Sequence, residues 1–303
     1  MRVAHRAAAA LLASGLTVTG CSSASSADRE HLTVFAAASL QESFDEIGAA
    51  FRTQHPDCDV TFNYGGSSTL AQQIVQGAPA DVFATASATT MKTATSAGAV
   101  GAPVTFATNT MELVVPPANP GHITALADLT RPGTKLALCQ PDVPCGAASR
   151  TVLAKASVTT KPVTLEADVK SVLTKVRLGE VDAGLVYVTD ARAAGTAVTS
   201  IPVPAGQNAT TTYPIGVVTA TTNQALAQDF QAFVTSADGQ KVLAAHGFDR
   251  PCPDTIAPPG RWQSSPWSGW RCWPCRWWHC SSGRRGRTWA RCWPGMTSGP
   301  RWA

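Results

Sequence analysis

Short apolar runs that alternate with stretches of helical period, spread over 303 residues, predict an α/β fold divided into two lobes. Length supports the division, because single hydrophobic cores stop growing near this size. The connections support the architecture: a buried strand followed at once by an amphipathic helix makes neighbouring strands parallel. Ligands of such sheets sit beyond the carboxyl ends of the strands.

LTVFAA (32–37) reads as the first buried strand, and Leu40, Phe44, Ile47 and Phe51 then recur at helical spacing. DVTFNY (59–64) reads as a second strand, followed by a short helix marked by Leu70 and Ile74 that stops at Gly77. DVFATA (81–86) is the third. Further strands are expected at MELVVP (111–116), KLALC (135–139), GLVYV (184–188) and IGVVTA (215–220). Val169, Val172, Leu173 and Val176 define one more helix face, and Leu226, Phe230, Phe233 and Val234 another; the body ends near Gly247 and Phe248. Crossings between the lobes are expected near 107–112 and 212–217, which makes one lobe discontinuous: residues 31–108 with 217–250, against 109–216.

The formal charge of +4 misleads about partners. Eight arginines lie in a tail without Asp or Glu, so residues 1–260 carry 16 basic and 20 acidic groups. A net negative body is a poor surface for nucleic acid, and none is expected as a partner. At the other end, Arg2, His5 and Arg6 precede an apolar Ala/Leu stretch that runs through small residues into Cys21. Residues 1–20 read as an export signal. Small residues leading directly into a cysteine resemble the bacterial lipobox, with Cys21 lipidated and residues 21–30 a polar tether; a plain cleaved signal is the alternative. The expected location is extracytoplasmic, at the outer face of the cytoplasmic membrane. Beyond the signal no run of about 18 apolar residues occurs that could span it.

Two strand-to-helix loops carry the chemistry. In the first, Ser39 falls at the expected N-cap of the first helix; in the second, Gly65 and Gly66 let backbone approach a ligand and Ser67 opens the next helix. Both loops present hydroxyls and free N–H groups beside a positive helix end, an anion site without formal charge. Capping alone would explain either serine singly. The body shows no Ser-His-Asp order, metal-ligand spacing or phosphate-loop motif. His31, His55, His122 and His246 read as surface or helix-end residues, and Lys170 as a solvated lysine.

With those loops on the page, the chain resembles the periplasmic molybdate-binding proteins of ABC importers across residues 32–248. The motifs are LTVFAAASL (32–40), GGSSTLAQQIVQGAPADVFATA (65–86), VPCGAA (143–148), EADVKSVL (166–173) and DAGLVYVTDA (182–191). The resemblance implies a type II periplasmic-binding-protein fold, each lobe a mainly parallel sheet flanked by helices, closing on a tetrahedral oxyanion in the cleft. It implies hydroxyl donors at Ser39, Ser67 and Tyr187, and N–H donors at Ser67, Cys145 and Val169. Molybdenum or tungsten would enter as the oxyanion through these same residues, with no separate metal site and no cofactor. The implied partners are that anion and a membrane permease, and the implied protein is a monomer without catalytic activity. A binding protein for sulfate or thiosulfate would share the fold.

Cys145 stands where the family commonly has alanine, and Cys139 lies six residues before it. In an exported protein the pair suggests a disulfide that stiffens this loop. Cys58 and Cys252 are a second candidate pair. Residues 251–303 do not fit the body. From 262 onward they hold all nine tryptophans and four cysteines but no Leu, Val, Ile, Phe or Tyr, so no ordinary core can form. They read as GC-rich sequence translated out of frame. The rival readings are a dithiol redox motif at Cys272 and Cys275, which would make the chain a thiol oxidoreductase, or zinc bound with Cys280, Cys292 and His279.

Overall fold

A computed structural model describes residues 29–251. Cys21, Cys252 and the cysteines of the tail lie outside the described residues, as do the export signal and most of the tether. The first strand, β1 (Glu30–Ala37), runs through a 3-10 turn at Ala38–Leu40 into α1 (Gln41–Gln54). Then come β2 (Cys58–Gly65), α2 (Ser67–Val75), β3 (Val82–Ala84) and α3 (Ala88–Ser96). A long strand, β4 (Val104–Val115), leads to β5 (Leu136–Cys139), α4 (Pro144–Lys155), β6 (Thr164–Glu166), α5 (Val169–Arg177), β7 (Ala183–Tyr187) and α6 (Val188–Ala194). The chain finishes with β8 (Thr199–Pro202), β9 (Thr210–Val217), α7 (Gln224–Thr235) and α8 (Ala237–Ala245).

The strands join in the order β2-β1-β3-β9-β4-β7-β5-β6, with β8 paired to β4. Pairing is parallel within β2-β1-β3 and within β7-β5-β6, as strand-helix-strand units require, and antiparallel wherever β4 or β9 takes part. Each half is thus a parallel trio edged by an antiparallel strand, a mixed α/β sheet within a two-lobed type II fold. β4 pairs β9 along Val104–Thr110 and then pairs β7 and β8 along Met111–Val115. One strand therefore serves both halves.

Burial follows the pattern that parallel central strands demand. Leu32, Val34 and Ala36 of β1 are fully buried in one core shared with residues of α1, α7 and α8, while Phe35 and Phe83 pack with Leu70, Ile74 and Met91 of α2 and α3 in another. Phe44 and Phe51 of α1 meet Phe230 of α7 edge-on, with ring centroids 6.1 and 5.3 Å apart. These contacts return the last helices to the first half of the sheet.

Several elements differ from expectation for local reasons. β4 begins seven residues before the expected start at 111, because its first half, VTFATNT, carries threonines and Asn109 rather than an apolar run. β6 and β8 are three and four residues long, too short to show a period. α3 has only Met91 as a large buried side chain, and its start is set by Ser87, whose hydroxyl accepts from Thr89 N and Thr90 N. α4, α6 and α8 also carry too few large apolar residues to declare a face.

Phe44 is fully buried and touches Phe62, Phe106 and Phe230. Phe44→Ala is expected to destabilise the protein by about 3–5 kcal/mol, the usual cost of emptying an aromatic core position, read from the midpoint of urea unfolding.

Candidate functional site

Three helices begin around one small hollow of about 20 Å³, which is walled by Ser39, Ser67, Cys145, Val169 and Tyr187 together with short loops. α2 starts at Ser67, α4 at Pro144 and α5 at Val169, and the 3-10 turn before α1 completes the ring. The first N–H groups of a helix have no carbonyl partner within it, so Ser67, Cys145 and Val169 bring unmet donors to the wall. That volume is far below the roughly 300–1,000 Å³ of sites for drug-sized organic molecules, which leaves room only for a small ion.

All five residues singled out from sequence stand on this wall, drawn from strands and helices of both halves of the sheet. Neither serine caps its helix through its side chain, so the N-cap expected of Ser39 is corrected. The reason is the inserted 3-10 turn, which places Ala37 and Leu40 at the cap positions and leaves the Ser39 hydroxyl to meet Tyr213 Oη at 3.0 Å. Ser67 Oγ accepts from Ala86 N at 3.2 Å, which leaves its own proton for the hollow. Ser39 and Ser67 are only 4% and 2% exposed.

Tyr187 is 1% exposed, and among the described residues its hydroxyl makes no hydrogen bond of ordinary length, with Thr211 and Tyr213 as its nearest polar neighbours. Such an orphan is uncommon in a folded interior and calls for an external partner. Burial, reinforced by Tyr213 and Asp190, raises its pKa well above the ordinary value, so the group is a neutral donor. Among the described residues no Lys or Arg side chain lines the hollow. The one acid on its wall, Asp168, accepts from Ser171 N at 2.9 Å and Ser171 Oγ at 3.1 Å as the N-cap of α5. Asp168 was not anticipated, although the spacing Asp-x-x-Ser before an apolar face is a capping signal.

Close backbone approaches hold the wall. A Cβ on Gly146 would lie 1.8 Å from Gln140 O, so only glycine lets the start of α4 fold back on the end of β5. A disulfide between Cys139 and Cys145, with Cα atoms 5.7 Å apart, joins the same two elements. On the facing wall a Cβ on Gly66 would meet Ala167 O at 2.4 Å, and Ser68 Oγ donates to Asp142 O at 2.9 Å. The Cys58 side chain is buried, and its suggested partner Cys252 lies outside the described residues.

Lys170 departs from the reading of a solvated lysine. Its ammonium lies 2.7 Å from Glu42 of α1 and 3.0 Å from Asp190 of α6, and its side chain is 20% exposed. The cause is Asp190, a fully buried carboxylate that also accepts from Tyr187 N at 3.3 Å and needs a counter-charge. Burial alone would depress the Lys170 pKa, but Asp190 and Glu42 outweigh it and leave the pKa raised. For Asp190, burial raises the pKa from 3.8 to about 6 against the pull of Lys170. Among the described residues no group of three or more His, Cys, Asp or Glu is placed to hold a metal ion, and no helix is long and apolar enough to cross a membrane.

Lys170→Met leaves Asp190 buried without its cation, with an expected loss of about 3–5 kcal/mol at pH 8 in urea unfolding. Asp190 binds its proton more tightly folded than unfolded, so its contribution is present below pH 3.8 and lost as pH rises through about 6. Removing the lysine extends that loss to higher pH, and the variant's deficit is expected to shrink when unfolding is repeated at pH 5. Gly66→Ala is expected to weaken ligand binding at least about tenfold, since the overlap with Ala167 O arises only when the two walls meet. The melting temperature of the ligand-free protein should stay within a few degrees.

Residues 32–249 match the bacterial extracellular solute-binding protein family. The chain is 43% identical over 249 residues to the molybdate-binding protein ModA of Mycobacterium tuberculosis, an alignment covering 80% of this chain and 95% of that one. The solved periplasmic molybdate-binding protein of Azotobacter vinelandii superposes with a TM-score of 0.65 over 73% of this chain and 100% of its own, at 22% identity. The sulfate-binding protein SubI of Mycobacterium tuberculosis shares the fold nearly as well, with a TM-score of 0.63 over 74% and 88% of the two chains at 21% identity. With its sheet order, its hollow between two parallel trios and this degree of identity, the chain belongs to the bacterial extracellular solute-binding protein family, beside the ModA molybdate-binding proteins.

Proposed function

We propose that this protein captures molybdate or tungstate outside the cytoplasm and delivers it to the permease of an ABC importer, binding the anion rather than transforming it. The observation that carries this reading is the buried, unpartnered Tyr187 hydroxyl on a wall of serine hydroxyls and helix starts without a cationic side chain. Ser39, Ser67 and Tyr187 would donate from hydroxyls, and Ser67, Cys145 and Val169 from N–H groups.

A fully ionised tetrahedral dianion has acceptors only, and a wall of donors suits it while penalising an anion that carries its own proton. Charge-assisted hydrogen bonds of roughly 1.5–3 kcal/mol each, with helix ends behind them, offset the loss of water around the anion. Sulfate has the same charge and shorter bonds to oxygen. Some donors would then stand out of reach, and hydrogen bonds weaken quickly with added length. The fold does not choose between the two anions, since a sulfate-binding protein superposes almost as well as a molybdate-binding one.

Delivery follows from the sheet. β4 pairs with strands of both halves, so lobes of residues 31–108 with 217–250 and of 109–216 would close by bending where it pairs β9. Cys21 would carry the lipid that keeps a monomeric protein at the membrane.

Titration calorimetry with molybdate, tungstate and sulfate in parallel tests the proposal. The expected result is tight, similar binding of the first two and much weaker binding of sulfate; preference for sulfate would replace the reading with its rival. Ser39→Ala or Ser67→Ala is expected to weaken molybdate binding by about 1–3 kcal/mol, through one unmet acceptor on a buried anion. Unchanged affinity in both variants would move the site elsewhere.

A further inference from the structure

We infer that Tyr213 and Asn109, neither of which lines the hollow, set the direction of the Ser39 proton and so make Ser39 an obligate donor to the bound anion. The inference rests on the proposed contact between Ser39 and an oxyanion. It begins at Asn109 of β4, 2% exposed, whose Oδ1 accepts from Thr110 N at 2.9 Å. That bond fixes which way the amide faces, so its Nδ2 points two donors at Thr189 Oγ1, 2.9 Å away, and at Tyr213 Oη, 3.4 Å away.

An amide N–H can only donate, so the Tyr213 oxygen accepts from Asn109. The Thr211 and Tyr187 hydroxyls also neighbour Tyr213 Oη, but Ser39 Oγ at 3.0 Å is the acceptor at ordinary hydrogen-bond length, and the proton is assigned to it. With a lone pair of Ser39 taken, the serine's own proton is left for the hollow that it lines. The order is Asn109 to Tyr213 to Ser39 to anion, each oxygen accepting from one side and donating to the other. Tyr213 is fully buried, and burial is the main cause that raises its pKa, so the phenol keeps its proton. Chains of hydrogen bonds oriented in one sense polarise one another in a buried setting, which strengthens the last donor. Tyr213 and Asn109 are positioning residues, and they lie on the two strands that pair between the halves of the sheet.

A double-mutant cycle tests this. Tyr213→Phe removes one hydroxyl and keeps the ring that packs on Phe106, Tyr187 and Phe248. Affinity is measured by calorimetry in the native and Ser39→Ala backgrounds, with whichever of molybdate, tungstate and sulfate binds the native protein most tightly. Tyr213→Phe is expected to lower affinity about five- to tenfold in the native background, on the scale of one neutral hydrogen bond, and less than about twofold beside Ser39→Ala. Equal losses in both backgrounds, or none in either, would overturn the inference and leave the oxyanion site standing. Absence of heat with all three anions in the native protein would overturn both.

Discussion

A helix cannot satisfy its own first N–H groups, and in this protein three such deficits meet at the proposed site. α2, α4 and α5 start at one hollow, and none of the residues on its wall is a lysine or arginine. The donors are then dipoles held by the backbone rather than charges on flexible stems. Their positions are set by the ends of strands, to within the precision of the sheet. Everything else in the structure serves to bring those starts together and hold them there.

The restraints around the hollow are covalent or steric where a charge would change the chemistry. The Cys139–Cys145 bond and the bare backbone of Gly146 pin the start of α4 to β5. Apart from Asp168, whose carboxylate caps α5, formal charge is kept one layer back: Lys170 joins Glu42 and Asp190, and Asp190 in turn holds the backbone N–H of Tyr187. A buried ion pair is weak evidence for stability in general. Here it links α1, α5 and α6, which carry or adjoin residues of the wall, so it acts on geometry as much as on energy.

Most strands of the parallel trios are legible because strands buried on both faces write themselves as continuous apolar runs, and LTVFAA, DVFATA and GLVYV are such runs, whereas the three-residue β6 is too short to read. The antiparallel strands were legible only in part. Half of β4 and half of β9 are threonine-rich, and a half-exposed polar strand has no apolar signature to read. The weak helices α3, α4, α6 and α8 were passed over for the same reason, since their caps and small residues declare a start but no face.

By itself the sequence determined the class of fold and the loops that meet at the hollow, because these depend on residue type and on spacing within a few turns of chain. Tertiary structure decided what those residues do with their protons and charges. Whether Ser39 caps a helix or meets Tyr213, and whether Lys170 faces water or Asp190, depends on groups 174 and 20 positions away. Partnerships across such separations are set by how strands pair in space, and no local pattern of side chains encodes them.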